Sequence, residues 1–209
     1  MGIKIIIKSL GRFVWIPIII NDIIIPLIIL FIKINGTLDH VETGIMMLTQ
    51  MFTPFLAVFW IYLHLLKYID SKGNENFYLK ERNKLLEVVK LTVVYIITNT
   101  PFFIWYYLIN RAYIYEWIHI IIMSIFFGMG AYFFSYLFKS ISLGMIPSFI
   151  YALSSITGLN EFMYKISYYE SSGMKAGQLT EKYFYFLLIA FLFAGIGEIL
   201  NKYYTEYNS

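Results

Sequence analysis

The chain contains no cysteine, which excludes disulfides and thiolate metal sites. Charge is scarce as well. Only 14% of its 209 residues are Asp, Glu, Lys or Arg, where soluble domains carry about 25%. Several signatures of chemistry are missing. There is no Gly-x-x-x-x-Gly-Lys-Ser/Thr phosphate loop, so work driven by ATP would need a separate ATPase chain. There is no His-Glu-x-x-His pair, no Gly-x-Ser-x-Gly elbow and no pair of intramembrane carboxylates. These absences point away from an enzyme. The basic residues form no compact patch, which argues against nucleic-acid binding.

What is present is apolar. Hydrophobic residues make up 59% of the chain, and the mean hydropathy is +0.68. Phe and Tyr each occur 19 times, and Tyr favours the membrane–water boundary. The composition therefore predicts an all-α integral membrane protein. A spanning helix needs about 20 mostly apolar residues, and backbone satisfaction in lipid favours helices over open strands. Six runs qualify: Phe13 to Ile32, Ile45 to Leu66, Leu91 to Ile109, Trp117 to Phe138, Ile141 to Gly158, and Tyr183 to Leu200. They make one transmembrane domain over residues 1–209, with no internal repeat. The apolar run after Met1 to Arg12 is of spanning length and lacks a small-residue cleavage site, so no cleavable signal peptide is read. Abundant Ile, Asn, Lys, Phe and Tyr fit an AT-rich bacterial genome. That origin would leave the glycosylation pattern at Asn35-Gly36-Thr37 idle.

Lys and Arg in the short loops set orientation. With the N-terminus inside, the inner side holds Lys4, Lys8, Arg12, Lys67, Lys72, Lys80, Arg82, Lys84, Lys90, Lys139 and Lys202. The outer side holds Lys33, Arg111, Lys165, Lys175 and Lys182. The bias predicts that both termini are cytoplasmic. Ile3, Ile6, Ile7 and Leu10 form an apolar stripe opposite Lys4, Lys8 and Arg12, as in an interfacial helix; the other reading is that these residues extend the first span outward. Gly11 would permit the turn into the first span.

The longest inner loop runs from Tyr68 to Lys90. Lys72-Gly73-Asn74 reads as a turn, with Asn74 or Asn76 as a helix N-cap and Glu75 in the first turn. Phe77 and Tyr78 are then ringed by Lys80, Glu81, Arg82, Asn83 and Lys84. Aromatic anchors inside a charged rim suit docking into a protein groove; they equally suit anchoring at the membrane interface. Lys84, Glu87 and Lys90 recur every three residues, which predicts a polar stripe neutralised by i,i+3 pairs.

Among ionisable groups inside spans, Asp22 is the clearest, and such groups default to functional hypotheses. It could line a cavity or bond a neighbouring helix. Glu198 is expected to reach water or a basic loop residue. His40, His64 and His119 are spread too far along the spans for one metal site. Thr49, Thr53 and Ala57, then Ser124, Gly128 and Ser135, then Ala190 and Ala194, have the spacing of close-packed helices. Thr92, Tyr95 and Asn99 align on the third span, and Ser148, Tyr151 and Ser155 on the fifth. Such stripes are more often packing surfaces than pore linings. Pro54, Pro101 and Pro147 can kink their helices.

The layout is a basic interfacial helix, two spans, a Gly-Asn-Glu loop entering "NFYLKERNKLLEVVK", and four further spans. It resembles the ABC-2 type transporter permeases, and most of all the small bacterial ones of peptide export or bacteriocin immunity. The stretch "ISYYESSGMKAG" before the last span is similar to them too. The resemblance implies an N-terminal elbow helix and a cytoplasmic coupling helix between spans 2 and 3. It also implies short extracellular helices between spans 5 and 6, where Phe162, Met163, Ile166 and Tyr169 fall on one predicted helical face after Asn160. By the same resemblance Gly73, Asn74, Glu75, Phe77, Tyr78, Arg82, Asn83 and Lys84 would contact an ABC ATPase subunit. Asp22, Asn99 and Tyr151 are candidates for a translocation path. The implied partners are that ATPase, carrying the ATP and Mg, a second permease copy or paralogue, membrane lipid and a peptide substrate. This chain itself would hold no cofactor and no metal. A bacterial inner (plasma) membrane is the implied location. Two other readings are a vitamin-type importer's membrane component and an embedded lipid-modifying enzyme.

Overall fold

The structure, a computed structural model, describes residues 7–8, 10–36, 38–70, 83–157, 165–170 and 174–207, with backbone alone at 38–40, 109 and 204–207. All regular structure among them is helical. Helix α1 is Gly11–Asn35, α2 Leu38–Ile69, α3 Lys84–Ile109, α4 Tyr113–Phe138 and α5 Ile141–Thr157. Helix α6 runs through Ala176–Gln178, Leu179–Tyr183 and Phe184–Tyr207. Five of these, all but α5, are long and apolar enough to cross a membrane. They fit a multi-pass membrane protein.

The helices overrun the expected spans. Helix α2 has 32 residues, about 48 Å at ~1.5 Å per residue, against a hydrocarbon core of about 30 Å. The extra turns carry Glu42 at one end and Lys67 at the other, so hydropathy alone stops short of them. Helix α5 has 17 residues, about 26 Å by the same rise. The expected span Ile141 to Gly158 has its last residue outside the described ones.

Helix α1 starts at a turn. Gly11 has φ +62°, the left-handed region that glycine enters without penalty. The amide of Leu10 donates to the carbonyl of Ile7 at 3.1 Å just before it. The expected turn into the first span is there; residues 1–6 and 9 of the expected interfacial helix lie outside the described residues. One wide π-turn interrupts α1 at Ile20–Ile24 and another interrupts α6 at Leu179–Tyr183.

Helix α4 is the axis of the bundle: 61% of its spanning window is buried, against 22% for α1 and for α6. Glycines let the neighbours close on it. A Cβ at Gly144 of α5 would sit 3.0 Å from the Ser135 backbone, and one at Gly197 of α6 would sit 2.7 Å from the Tyr132 ring. Ser124, Ser135, Thr49, Thr53, Ala57 and Ala190 are all buried, as packing surfaces should be. Aromatic rings fill the remainder; Phe133 of α4 stacks on Phe193 of α6 at 5.0 Å.

The termini of α1, α3 and α5 and the alternating chain direction define two ends. The proximal end carries Gly11, Ile69, Lys84, Phe138 and Ile141. The distal end carries Asn35, Ile109, Tyr113 and Ala176.

Candidate functional site

Polar groups gather at three depths. The middle node joins three helices. Asn21 of α1 donates through Nδ2 to the Tyr95 hydroxyl of α3 at 2.8 Å, and Thr53 of α2 donates to Asn21 Oδ1 at 3.2 Å. The Tyr95 hydroxyl in turn donates to the Thr53 carbonyl. Pro54 has no N–H to offer this turn of α2. A second tyrosine hydroxyl, from Tyr168, bonds the Met51 carbonyl at 3.2 Å beside it. Neither acceptor is the Gln50 carbonyl, the one from which Pro54 withholds an i+4 donor.

Asp22 stands next to this node without joining it. Its Oδ1 is buried and has no hydrogen-bond partner. Asn99 donates to its own helix at the Tyr95 carbonyl, 2.7 Å away. The Tyr151 hydroxyl donates to the Ile166 carbonyl at 2.7 Å. No hydrogen bond links these three residues to one another.

The proximal node lies among the described residues that precede and follow the loop singled out by sequence. His64 Nε2 of α2 is 2.9 Å from Glu87 Oε2 of α3, and the Tyr68 hydroxyl donates to the same oxygen at 2.9 Å. Lys84 is buried and donates to Asn201 Oδ1 of α6 at 3.1 Å. Asn201 and Tyr132 both donate to Glu198 Oε2, at 3.4 and 2.8 Å. Glu198 therefore meets α4 and its own helix rather than a basic loop residue. Asp70, the last described residue before the loop, accepts the Ile141 amide at 3.2 Å and so caps α5. Gly73, Asn74, Glu75, Phe77, Tyr78 and Arg82 lie outside the described residues. Asn83 and Lys84 open α3. Of the expected i,i+3 stripe, Glu87 bonds α2 and Lys84 bonds α6.

The distal node was not legible as a site. Glu116 of α4 is buried; it accepts Gln50 Nε2 of α2 at 2.8 Å and the Met174 amide at 2.7 Å. Gln50 Oε1 accepts the Glu170 amide at 2.8 Å. Ser167 donates to the Ser155 carbonyl at 2.9 Å, and Tyr183 to the Tyr168 carbonyl at 3.0 Å. The segment before α6 is thereby strapped across the distal end. His119, fully buried, lies 3.9 Å from Glu116, and its ring meets Tyr183 at 4.3 Å. A cavity of about 250 Å³ opens beside Glu42, Met46, Tyr113, Glu116 and Met174.

Here the buried face is Ser167, Tyr168 and Glu170, while Ile166 is exposed and Tyr169 half-buried. Among the described residues of this stretch only 165–166 are helical, and 167–170 follow without regular structure. Phe162 and Met163 lie outside the described residues. The signal that could have found the node was Gln50, a polar residue in an apolar run, and Glu116 at the head of another.

Among the described residues, no three His, Asp or Glu side chains converge to hold a metal ion. Compared with protein-family models, curated proteins and solved structures, the chain matches none.

Proposed function

We propose that the chain is the transmembrane permease subunit of an ABC-2 type exporter, with six spans and both termini cytoplasmic in a bacterial inner membrane. One observation carries the reading. Both ends of the 71–82 segment are tied into the bundle: Asp70 holds α5 through the Ile141 amide, and Lys84 holds α6 through Asn201. Glu87, three residues on, is bound by His64 and Tyr68 of α2. A force on the segment at Phe77, Tyr78 and Arg82 would reach α2, α3, α5 and α6 together. That is the mechanical requirement of a subunit driven by a separate ATPase.

In this reading two permeases, identical or related, pair with two ATPase subunits that hold ATP and Mg. Closure of the ATPases presses on the 71–82 segment. The bundle shifts, and the distal strap, residues 165–170 and Met174, yields to let an amphipathic or hydrophobic peptide out. The chain performs no covalent chemistry itself.

An embedded enzyme is the second reading, since Glu116, His119, Glu170 and Lys182 share one depth. It is the weaker of the two. Glu116 already accepts two N–H bonds from the protein, and a general acid or base must reach its substrate.

The test is co-purification with the ATP-binding-cassette ATPase encoded beside the chain. Phe77→Ala, Tyr78→Ala and Arg82→Glu together should abolish the complex. An undiminished complex and ATP turnover, or the lack of any such neighbour gene, overturns the reading. Single cysteines at Ser71 and Ser172 should label from opposite sides of the membrane. Labelling from one side refutes the six-span arrangement.

A further inference from the structure

We infer that the distal end of α6 binds one membrane phospholipid, a zwitterionic glycerophospholipid whose headgroup carries a phosphate and a protonated primary amine. The site is a groove of about 610 Å³ between the 165–170 segment and α6. Lys165, Glu170, Glu181 and Lys182 line its polar mouth. Ile166, Tyr185, Phe186 and Ile189 line its apolar wall.

The order of these residues along α6 gives the groove a direction. Lys182, Tyr185, Phe186 and Ile189 are at i, i+3, i+4 and i+7, so they share one face. The stripe starts six residues into α6 and runs about 10 Å toward the middle of the bundle at ~1.5 Å per residue. A headgroup at Lys182 would lay an acyl chain along Phe186 and Ile189, the path a lipid in that leaflet takes.

Charge decides the headgroup. Two lysines and two glutamates share the mouth, and Lys182 Nζ lies 3.9 Å from Glu170 Oε2. A purely anionic headgroup would meet two carboxylates, and a purely cationic one two ammonium groups. A phosphate with an amine a few bonds away satisfies both signs. A primary ammonium can donate charge-assisted hydrogen bonds to Glu181, and a quaternary one cannot. The π-turn at Leu179–Tyr183 lies at this mouth, and such turns recur at functional sites. The inference is independent of the permease reading: it needs only that α6 lies in a bilayer.

The test uses the purified full chain in nanodiscs of phosphatidylethanolamine, phosphatidylcholine or phosphatidylglycerol, released into detergent for native mass spectrometry. Retention of phosphatidylethanolamine should exceed that of either other lipid by about tenfold, one step of 1.4 kcal/mol. Lys165→Gln and Ile189→Trp, both at exposed positions, should each remove the preference while the thermal unfolding midpoint holds. Soluble glycerophosphoethanolamine, a headgroup without tails, should fail to displace the lipid. Equal retention of the three lipids overturns the inference. So does an unchanged preference in both variants, or displacement by the headgroup alone.

Discussion

His64 of α2 and Glu87 of α3 meet at 2.9 Å, both buried. Neither residue is costly to the fold while both are present, because each satisfies the other and the Tyr68 hydroxyl adds a donor. Removing one partner leaves the other buried without its bond. His64→Ala and Glu87→Ala should each destabilise the purified chain. The double variant should lose less than the sum, with a coupling of about 1 to 3 kcal/mol. A double-mutant cycle by unfolding in detergent measures it. Strict additivity would show that the pair does not join α2 to α3.

Asn21 and Asp22 are neighbours in sequence and opposites in role. Asn21 bonds Thr53 and Tyr95 on two other helices, whereas Asp22 makes no hydrogen bond through its buried oxygen. Asn21→Leu should therefore lower stability by about 1 to 2 kcal/mol, the range for a lost hydrogen bond inside a membrane bundle. Asp22→Asn removes a carboxylate whose buried oxygen has no partner, and so should leave stability unchanged or raise it. If Asp22→Asn proves the more damaging in a thermal unfolding assay, Asp22 has a structural partner and the expectation that it lines a path fails.

Gly144 and Gly195 separate packing from propensity. A methyl at Gly144 meets the Ser135 and Phe134 backbone at 3.0 to 3.2 Å, and one at Gly195 meets nothing within 4 Å. Backbone cannot rotate away as a side chain can. Gly144→Ala should cost about 1 to 3 kcal/mol by overpacking. Gly195→Ala should be neutral or stabilising, since Ala favours helix by about 1 kcal/mol. Equal unfolding midpoints for the two variants would mean that α5 does not close on α4 at Gly144.

The helices were legible because lipid imposes long apolar runs, and five of the six expected runs lie in helices of spanning length. Small-residue stripes were legible for a similar reason: Ser124, Ser135 and Thr53 recur at helical spacing and are buried. The polar nodes were not. Lys84 reads as a surface cation until α6 is seen to cover it with Asn201. Glu116 stands at the edge of its apolar run, where one carboxylate looks solvated. Its partners, Gln50 and Met174, lie 66 and 58 residues away. No local pattern encodes such pairings, since they depend on which helix faces which.

The Glu116 carboxylate also makes the distal strap testable. Its two oxygens accept two different donors, the Gln50 amide group at 2.8 Å and the Met174 backbone amide at 2.7 Å. Gln50 spends its remaining oxygen on the Glu170 backbone amide at 2.8 Å. The strap is thus held at two backbone points by a pair of side chains on α2 and α4. Glu116→Gln presents an NH₂ group where one of two N–H donors had an acceptor, so one bond must break. Gln50→Leu removes the second tether and orphans part of Glu116. Charge-assisted bonds of this kind contribute about 1.5 to 3 kcal/mol each, so either variant should speed amide hydrogen exchange at Met174 or Glu170 by about tenfold or more. Exchange at Leu65 and Tyr132 in the core should stay unchanged. Because the chain has no native cysteine, a single cysteine at Met174, which is held through its backbone amide and not its side chain, gives a second readout. Its labelling should rise in both variants if the strap loosens, and unaltered labelling with unaltered exchange would show that these bonds do not hold it.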